Sequence, residues 1–238
     1  SALRTATNRD VLLHRLHHEA KIDLEVIDGE EEARLVRSAV VQAMGTQVTP
    51  RVILDLGGGS LEVNLRDDAT WRGKSLPVGT VRLMETFGLD GPIGDAEASM
   101  VRRYAATLIR PLAEAFRATD ATAVITGGNA EALAKIFGDG HPTTPSFSVE
   151  DLERGLPRLI GSDVDDRMAD LGHTRDRAAV IGIAALVFAR VARPIGVQRL
   201  VSPGVGLREG LLSELAETAR VQQVKQDGVH GRALLAAA

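Results

Sequence analysis

The chain has 238 residues, 44% of them apolar and 25% charged, with no cysteine. That is enough for one large domain or two small ones, and the missing cysteine excludes disulfides and thiolate chemistry. A net charge of −4, from 28 basic and 32 acidic side chains, argues against a general nucleic-acid binder. No apolar run reaches membrane-spanning length and the sequence does not open on a signal peptide, so a cytoplasmic setting without membrane contact is expected.

In chain order, "NRDVLLHRLHHEA" reads as an amphipathic helix with Val11, Leu12, Leu16 and Ala20 on one side, and "DLEVI" as a short strand. "DGEEEARLVRSAVVQAM" is a helix, with Ala33, Val36, Val40 and Met44 at helical spacing. Val52 to Leu56 and Leu61 to Leu65 alternate as two strands joined through three glycines. "KSLPVG" is a third strand, "VRLMETF" opens a helix, and Asp95 to Ala118 is a long one. "AVITGGNAEALAKIF" is strand, glycine turn and helix. "SVEDLERGLPRLI" and "RAAVIGIAALVFARVA" are helical, "VQRLVS" is a strand, and a glycine turn leads into "LREGLLSELAETA". Strands alternating with helices predict an α/β fold. The tail after Ala219 is polar, then Ala-rich, and is expected to fray.

Three consecutive glycines inside β-structure cost backbone entropy and add no packing, so "DLGGGSLEVNL" calls for a reason. The period-two pattern after the glycines rules out the strand-to-helix setting of Rossmann and Walker loops. It fits a hairpin whose successive N–H groups form an anion-binding nest from Gly57, Gly58, Gly59 and Ser60. Asp55 ends the first strand, and Glu62 and Asn64 project together from the second. Two carboxylates beside such a nest suggest a place for Mg²⁺, and the alternative is a structural hairpin with solvated acids.

The acids of "DGEEEARL" sort by spacing. Asp28 and Glu31 have capping-box spacing, and Glu30 and Arg34 form an i,i+4 ion pair. Glu32 has neither role and borders the apolar face, where a carboxylate with a raised pKa could deprotonate water; the alternative is an acidic first turn favoured by the helix dipole. Two more glycine turns precede helices: Gly127 and Gly128, with Asn129 as helix cap, and Gly204 and Gly206. Together the three turns suggest a cleft lined by backbone donors.

The ordered segments "SALRTATN", "DGEEEARL", "LDLGGGSLEV", "SLPVGTVRLMETF", "ITGGNAEALA", "DRAAVIGIAALV" and "GLREGLL" resemble the exopolyphosphatase/guanosine pentaphosphate phosphatase (Ppx/GppA) family. The resemblance implies the RNase H-like fold of the actin, Hsp70 and sugar kinase superfamily, in two halves around a cleft. "SALRTATN" lies about a hundred residues into such a protein, so the first half is expected to be largely missing and the chain weakly active. Residues 1–36 would be a remnant of the first RNase H-like domain, 37–220 the second with a helical C-terminal part, and 221–238 a tail.

The resemblance also implies Mg²⁺-dependent phosphatase action on inorganic polyphosphate or guanosine pentaphosphate, and the apolar face that the missing half would have covered is expected to favour a homodimer. It assigns Glu32, with Glu31 as fallback, as the catalytic acid. Asp55 and Glu62 would hold the metal, while Gly57, Gly58, Gly59, Ser60, Gly127, Gly128 and Asn129 would bind phosphate. Arg72, Lys74, Arg82, Arg102 and Arg103 are candidates for a basic path along the polyanion. The alternative is a non-hydrolytic nucleotide- or alarmone-binding sensor of the same fold. A kinase or ATPase of the superfamily would need a coupling surface that nothing in the sequence shows.

Overall fold

The computed structural model describes residues 2–45, 50–67, 70–116 and 121–220. Its elements are α1 (Ala2–Thr5), α2 (Arg9–Arg15) running into a π-turn at Leu16–Ala20, α3 (Gly29–Met44), β1 (Val52–Leu56), β2 (Leu61–Asp67), β3 (Thr70–Leu76), α4 (Thr80–Phe87) and α5 (Asp95–Ala115). Then come β4 (Ala121–Thr126), α6 (Gly128–Phe137), β5 (Ser146–Ser148), α7 (Val149–Gly161), α8 (Val164–Leu171), α9 (Arg175–Ala192), β6 (Val197–Val201) and a last helix, α10, over residues 207–220.

One six-stranded sheet runs β3-β2-β1-β4-β6-β5. β1, β4 and β6 are parallel, while β2, β3 and β5 are antiparallel to their neighbours. Both faces of the central strands are covered, which is why "VILDL" is buried throughout and reads as a nearly continuous apolar run. On one face Val52, Leu54, Leu56, Leu61, Val63 and Ile125 meet the main core, built around α9, where 13 of 18 residues are buried. On the other, Ile53 and Val124 pack against Val36 and Val40 of α3. Asp55 and Glu62 share that second face as register partners, so α3 is laid over the strand positions that carry the acids.

Several expectations need correction. Residues 21–28 contain no strand; "DLEVI" has no neighbour to ladder with among the described residues. The apolar side of α2 is likewise uncovered, with Val11 62% and Leu12 41% exposed. β3 begins upstream of Lys74, because its pairing with β2 extends to Thr70 opposite Asp67. β5, with three residues, is too short to show alternation, and α8 buries only Arg167, so neither carries a clear periodic signal. The long helix expected over Asp95–Ala118 ends at Ala115, where Phe116 turns extended, and residues 117–118 and the fraying tail at 221–238 lie outside the described residues.

Candidate active site

Glu32, Asp55 and Glu62 arrive from α3, β1 and β2, and each offers a carboxylate oxygen within 4.8 Å of the others. The α3 N-terminus sets the first. Asp28 caps the helix by accepting the Glu31 N–H at 2.8 Å, which fixes the rotation of the turn that follows. The reciprocal half of the capping box is absent, since Glu31 turns to Arg34, with Nη2 to Oε1 at 2.6 Å. Arg34 therefore pairs with Glu31 and with Glu214 of α10, not with Glu30. A helix places i,i+3 partners as close as i,i+4, so Glu31 is as available to Arg34 as Glu30 is. Glu32 points the other way, half-buried, into the acidic group.

The partners of the other two acids are short-range. Glu62 Oε1 accepts from the hydroxyls of Ser60 at 2.7 Å and Ser75 at 2.9 Å, and Asp55 Oδ1 accepts from Thr126 at 2.8 Å. Burial pushes Asp55 up to about 6 against the pull of the Thr126 hydroxyl, with Glu62 and Glu32 adding to the rise. Glu32 is raised as well, first by burial and then by Glu62.

Arg4 is the cation in this group, and sequence reasoning missed it. Its Nη1 lies 2.7 Å from Glu32 Oε2 and its Nη2 3.5 Å from Glu62 Oε1. The Nη1 contact is an ion pair in which the guanidinium offsets part of the Glu32 charge. A four-residue helix shows no periodicity, and its partners stand 28 and 58 positions downstream. The one signal within reach was that "SALRTATN" belonged to the ordered segments.

The glycine hairpin is held by α4. The carbonyls of Gly57, Gly58 and Gly59 accept from Thr80 N, Arg82 N and Arg82 Nε at 3.0, 2.9 and 2.8 Å. Across a planar trans peptide the N–H points opposite to the C=O, so the N–H groups of Gly58, Gly59 and Ser60 face away from α4. Among the described residues no backbone carbonyl accepts from them. A Cβ on Gly79 would fall on the Gly58–Ser60 backbone, which is the steric reason for glycine in "LPVGT". A Cβ on Gly58 would meet Val81, so that residue presents its hydrogen side to α4.

At the end of β4, Gly127 has φ +85° and lies so close to Asp55 that a Cβ there would sit 3.0 Å from Oδ1. Gly127 is the N-cap of α6, with no side-chain cap, and the helix starts at Gly128 beside the acids. Asn129 is therefore not the cap. Its side chain is buried, donating to the Leu56 carbonyl at 3.2 Å and accepting from Arg177. Gly206 approaches Gly127, and Gly210 of α10 is tight against the Leu35 carbonyl, where a side chain would push α10 off α3. The basic candidates do not gather: Arg82 is spent on the glycine turn, and Arg72 and Lys74 stand exposed on edge strand β3, with Arg102 and Arg103 exposed on α5.

A family model described as "Ppx/GppA phosphatase family" matches residues 1–219. Exopolyphosphatase 1 of Mycobacterium tuberculosis is 32% identical over 224 residues, covering 89% of this chain and 64% of that protein. The guanosine-5′-triphosphate,3′-diphosphate pyrophosphatase of Photobacterium profundum is 27% identical over 232 residues, covering 95% of this chain and 46% of that protein. The chain thus spans less than two thirds of the length of these relatives. Among solved structures, an exopolyphosphatase from Cytophaga hutchinsonii superposes with a TM-score of 0.79 at 26% identity, over 92% of this chain and 73% of that one. The Aquifex aeolicus family member gives 0.71 at 26% identity, over 91% and 72%. The fold is the RNase H-like, actin-type ATPase fold of these enzymes, and the chain belongs to the Ppx/GppA phosphatase family.

Proposed function

We propose that this chain carries one wall of the active site of a phosphatase that removes terminal phosphate from inorganic polyphosphate or guanosine pentaphosphate. The observation that carries the reading is the convergence of Glu32, Asp55 and Glu62 beside a glycine hairpin whose N–H groups face away from α4 and beside the N-terminus of α6. In this reading Glu32 takes the proton of the attacking water as its oxygen bonds the terminal phosphorus and the bridging P–O bond breaks. The products are orthophosphate and a chain one phosphate shorter. A carboxylate raised above its ordinary range binds that proton more readily than an exposed one. Phosphoryl oxygens are received by the N–H groups of Gly58, Gly59 and Ser60, around the turn opened by Gly57. The first turn of α6 adds Gly127, Gly128 and the backbone of Asn129. Arg4 is positioned to neutralise charge on the same group.

The donor set suits Mg²⁺: hard carboxylate oxygens, more negative charge than Arg4 balances, and an Asp55 that burial leaves reluctant to ionise without a cation. Asp55 and Glu62 would hold the ion, which when bound supplies charge neutralisation on the transferring phosphoryl group. A non-hydrolytic sensor is less well supported, because it has no use for Glu32.

The same reading gives residues 1–36 to a first RNase H-like domain, 37–220 to the second and 221–238 to a tail. It is supported by α2 and its π-turn, which bury no side chain here. It also takes the protein as a cytoplasmic homodimer that does not bind nucleic acid. No described helix is long and apolar enough to cross a membrane, and Leu211, Leu212 and Leu215 of α10 are exposed. The test is phosphate release from polyphosphate and guanosine pentaphosphate with Mg²⁺ and with a chelator. Release that stops on chelation is expected; undiminished release without divalent metal contradicts the proposal.

A further inference from the structure

Three of the six histidines in the sequence fall within five residues, His14, His17 and His18. They sit where α2 passes into the π-turn, which closes on Lys21 in the left-handed region at φ 57°. A π-turn is rare and recurs at functional positions. Here it brings the rings of His14 and His18 to a centroid distance of 4.2 Å, and those of His17 and His18 to 4.9 Å. His17 Nδ1 lies 2.5 Å from Asp23 Oδ1. All three rings are exposed, and none takes part in the chemistry proposed above.

We propose that His14 and His18 form a chelating pair for a divalent transition ion of the imidazole-binding class, Zn²⁺, Ni²⁺ or Cu²⁺, with His17 adjoining it. Two imidazoles at i,i+4 share one helix face and can both reach a single ion, as in helical zinc motifs. Imidazole nitrogen selects this class over the hard cations that suit carboxylates, so the site is chemically distinct from Glu32, Asp55 and Glu62. The contact with Asp23 holds the His17 ring in place beside the pair. Among the described residues only the acidic trio already converges as three ligands, so the histidine pair supplies two and water completes the shell. Binding there pins the π-turn to α2, in the stretch of chain that joins Arg4 to Glu32.

The test is calorimetric titration of the chain with Zn²⁺, with paramagnetic resonance of the Cu²⁺-loaded chain to identify ligand atoms. Nitrogen couplings from imidazole are expected, and H14A and H18A should each weaken Zn²⁺ binding about tenfold or more, while H141A binds as the parent does. Both substituted side chains are exposed, so circular dichroism should be unchanged; H14Q, which keeps a polar side chain, should lose binding equally. Equal affinity in parent, H14A and H18A overturns the proposal, as does a Cu²⁺ spectrum with oxygen ligands alone.

Discussion

Arg4 Nη1 stands 2.7 Å from Glu32 Oε2, so a four-residue helix at the start of the chain supplies the counter-charge to a carboxylate on α3. The pair is largely shielded from water and its second arm reaches Glu62. Removing the cation leaves three carboxylates to repel one another. Arg4→Met should therefore destabilise the metal-free chain at neutral pH by on the order of 2–3 kcal/mol in urea unfolding. The loss should shrink at pH 5, because burial raises Asp55 and Glu32 and so favours their protonated forms. A variant as stable as the parent at pH 7.5 would show that the pair carries no net stabilisation.

Asp55 sets a pH dependence of known sign. Its carboxyl titrates at about 6 in the folded chain against an ordinary value of 3.8, so between those values the folded state holds a proton that the unfolded chain has released. The associated stability is full below the ordinary value and is lost as pH rises through about 6. Asp55→Asn keeps an oxygen for the Thr126 hydroxyl and removes the charge. It should stabilise the metal-free chain at pH 8 by up to about 2–3 kcal/mol, and leave it unchanged at pH 4. The same variant should bind divalent cation more weakly. Chelator-treated urea melts at both pH values check the first outcome, and a pH-independent difference would contradict it.

The glycine hairpin depends on close contact with Gly79. Gly79→Ala should cost about 1–3 kcal/mol or more, because the new Cβ meets backbone that cannot rotate away. Gly91→Ala, which has open space and an ordinary φ, should be near neutral. The urea midpoints of the two variants make the comparison; equal midpoints would mean that the turn is not clamped as described.

What the sequence made legible follows from the range of each signal. Asp55 stands out because it interrupts a strand that is otherwise apolar and buried, and Glu62 because it projects with Asn64 from an alternating strand just after the glycines; that the two acids share a face took the β1–β2 register to show. Glu32 was reached by removing neighbours with local roles; one of those roles was misassigned, since Arg34 chose Glu31, yet the elimination still left the acid that joins the cluster. Arg4 was invisible because its partners are remote and its helix is one turn long. Asn129 misled for a related reason: residue type and position fit a cap, while its real partners, the Leu56 carbonyl and Arg177, come from distant elements. The "DLEVI" strand fails because a strand signal describes one chain segment, and a strand needs a second to pair with.

The central claim is that Glu32 is the base and that its acidic neighbours on α3 are structural. The direct measurement is the turnover of Glu32→Gln beside that of Glu30→Gln, with circular dichroism to check the fold. Glu30 is exposed and makes no ion pair among the described residues. Glu32→Gln should lower turnover about 10²–10⁴-fold with the fold intact, and Glu30→Gln should leave it within about twofold of the parent. Equal loss in both variants, or none in Glu32→Gln, would contradict the account.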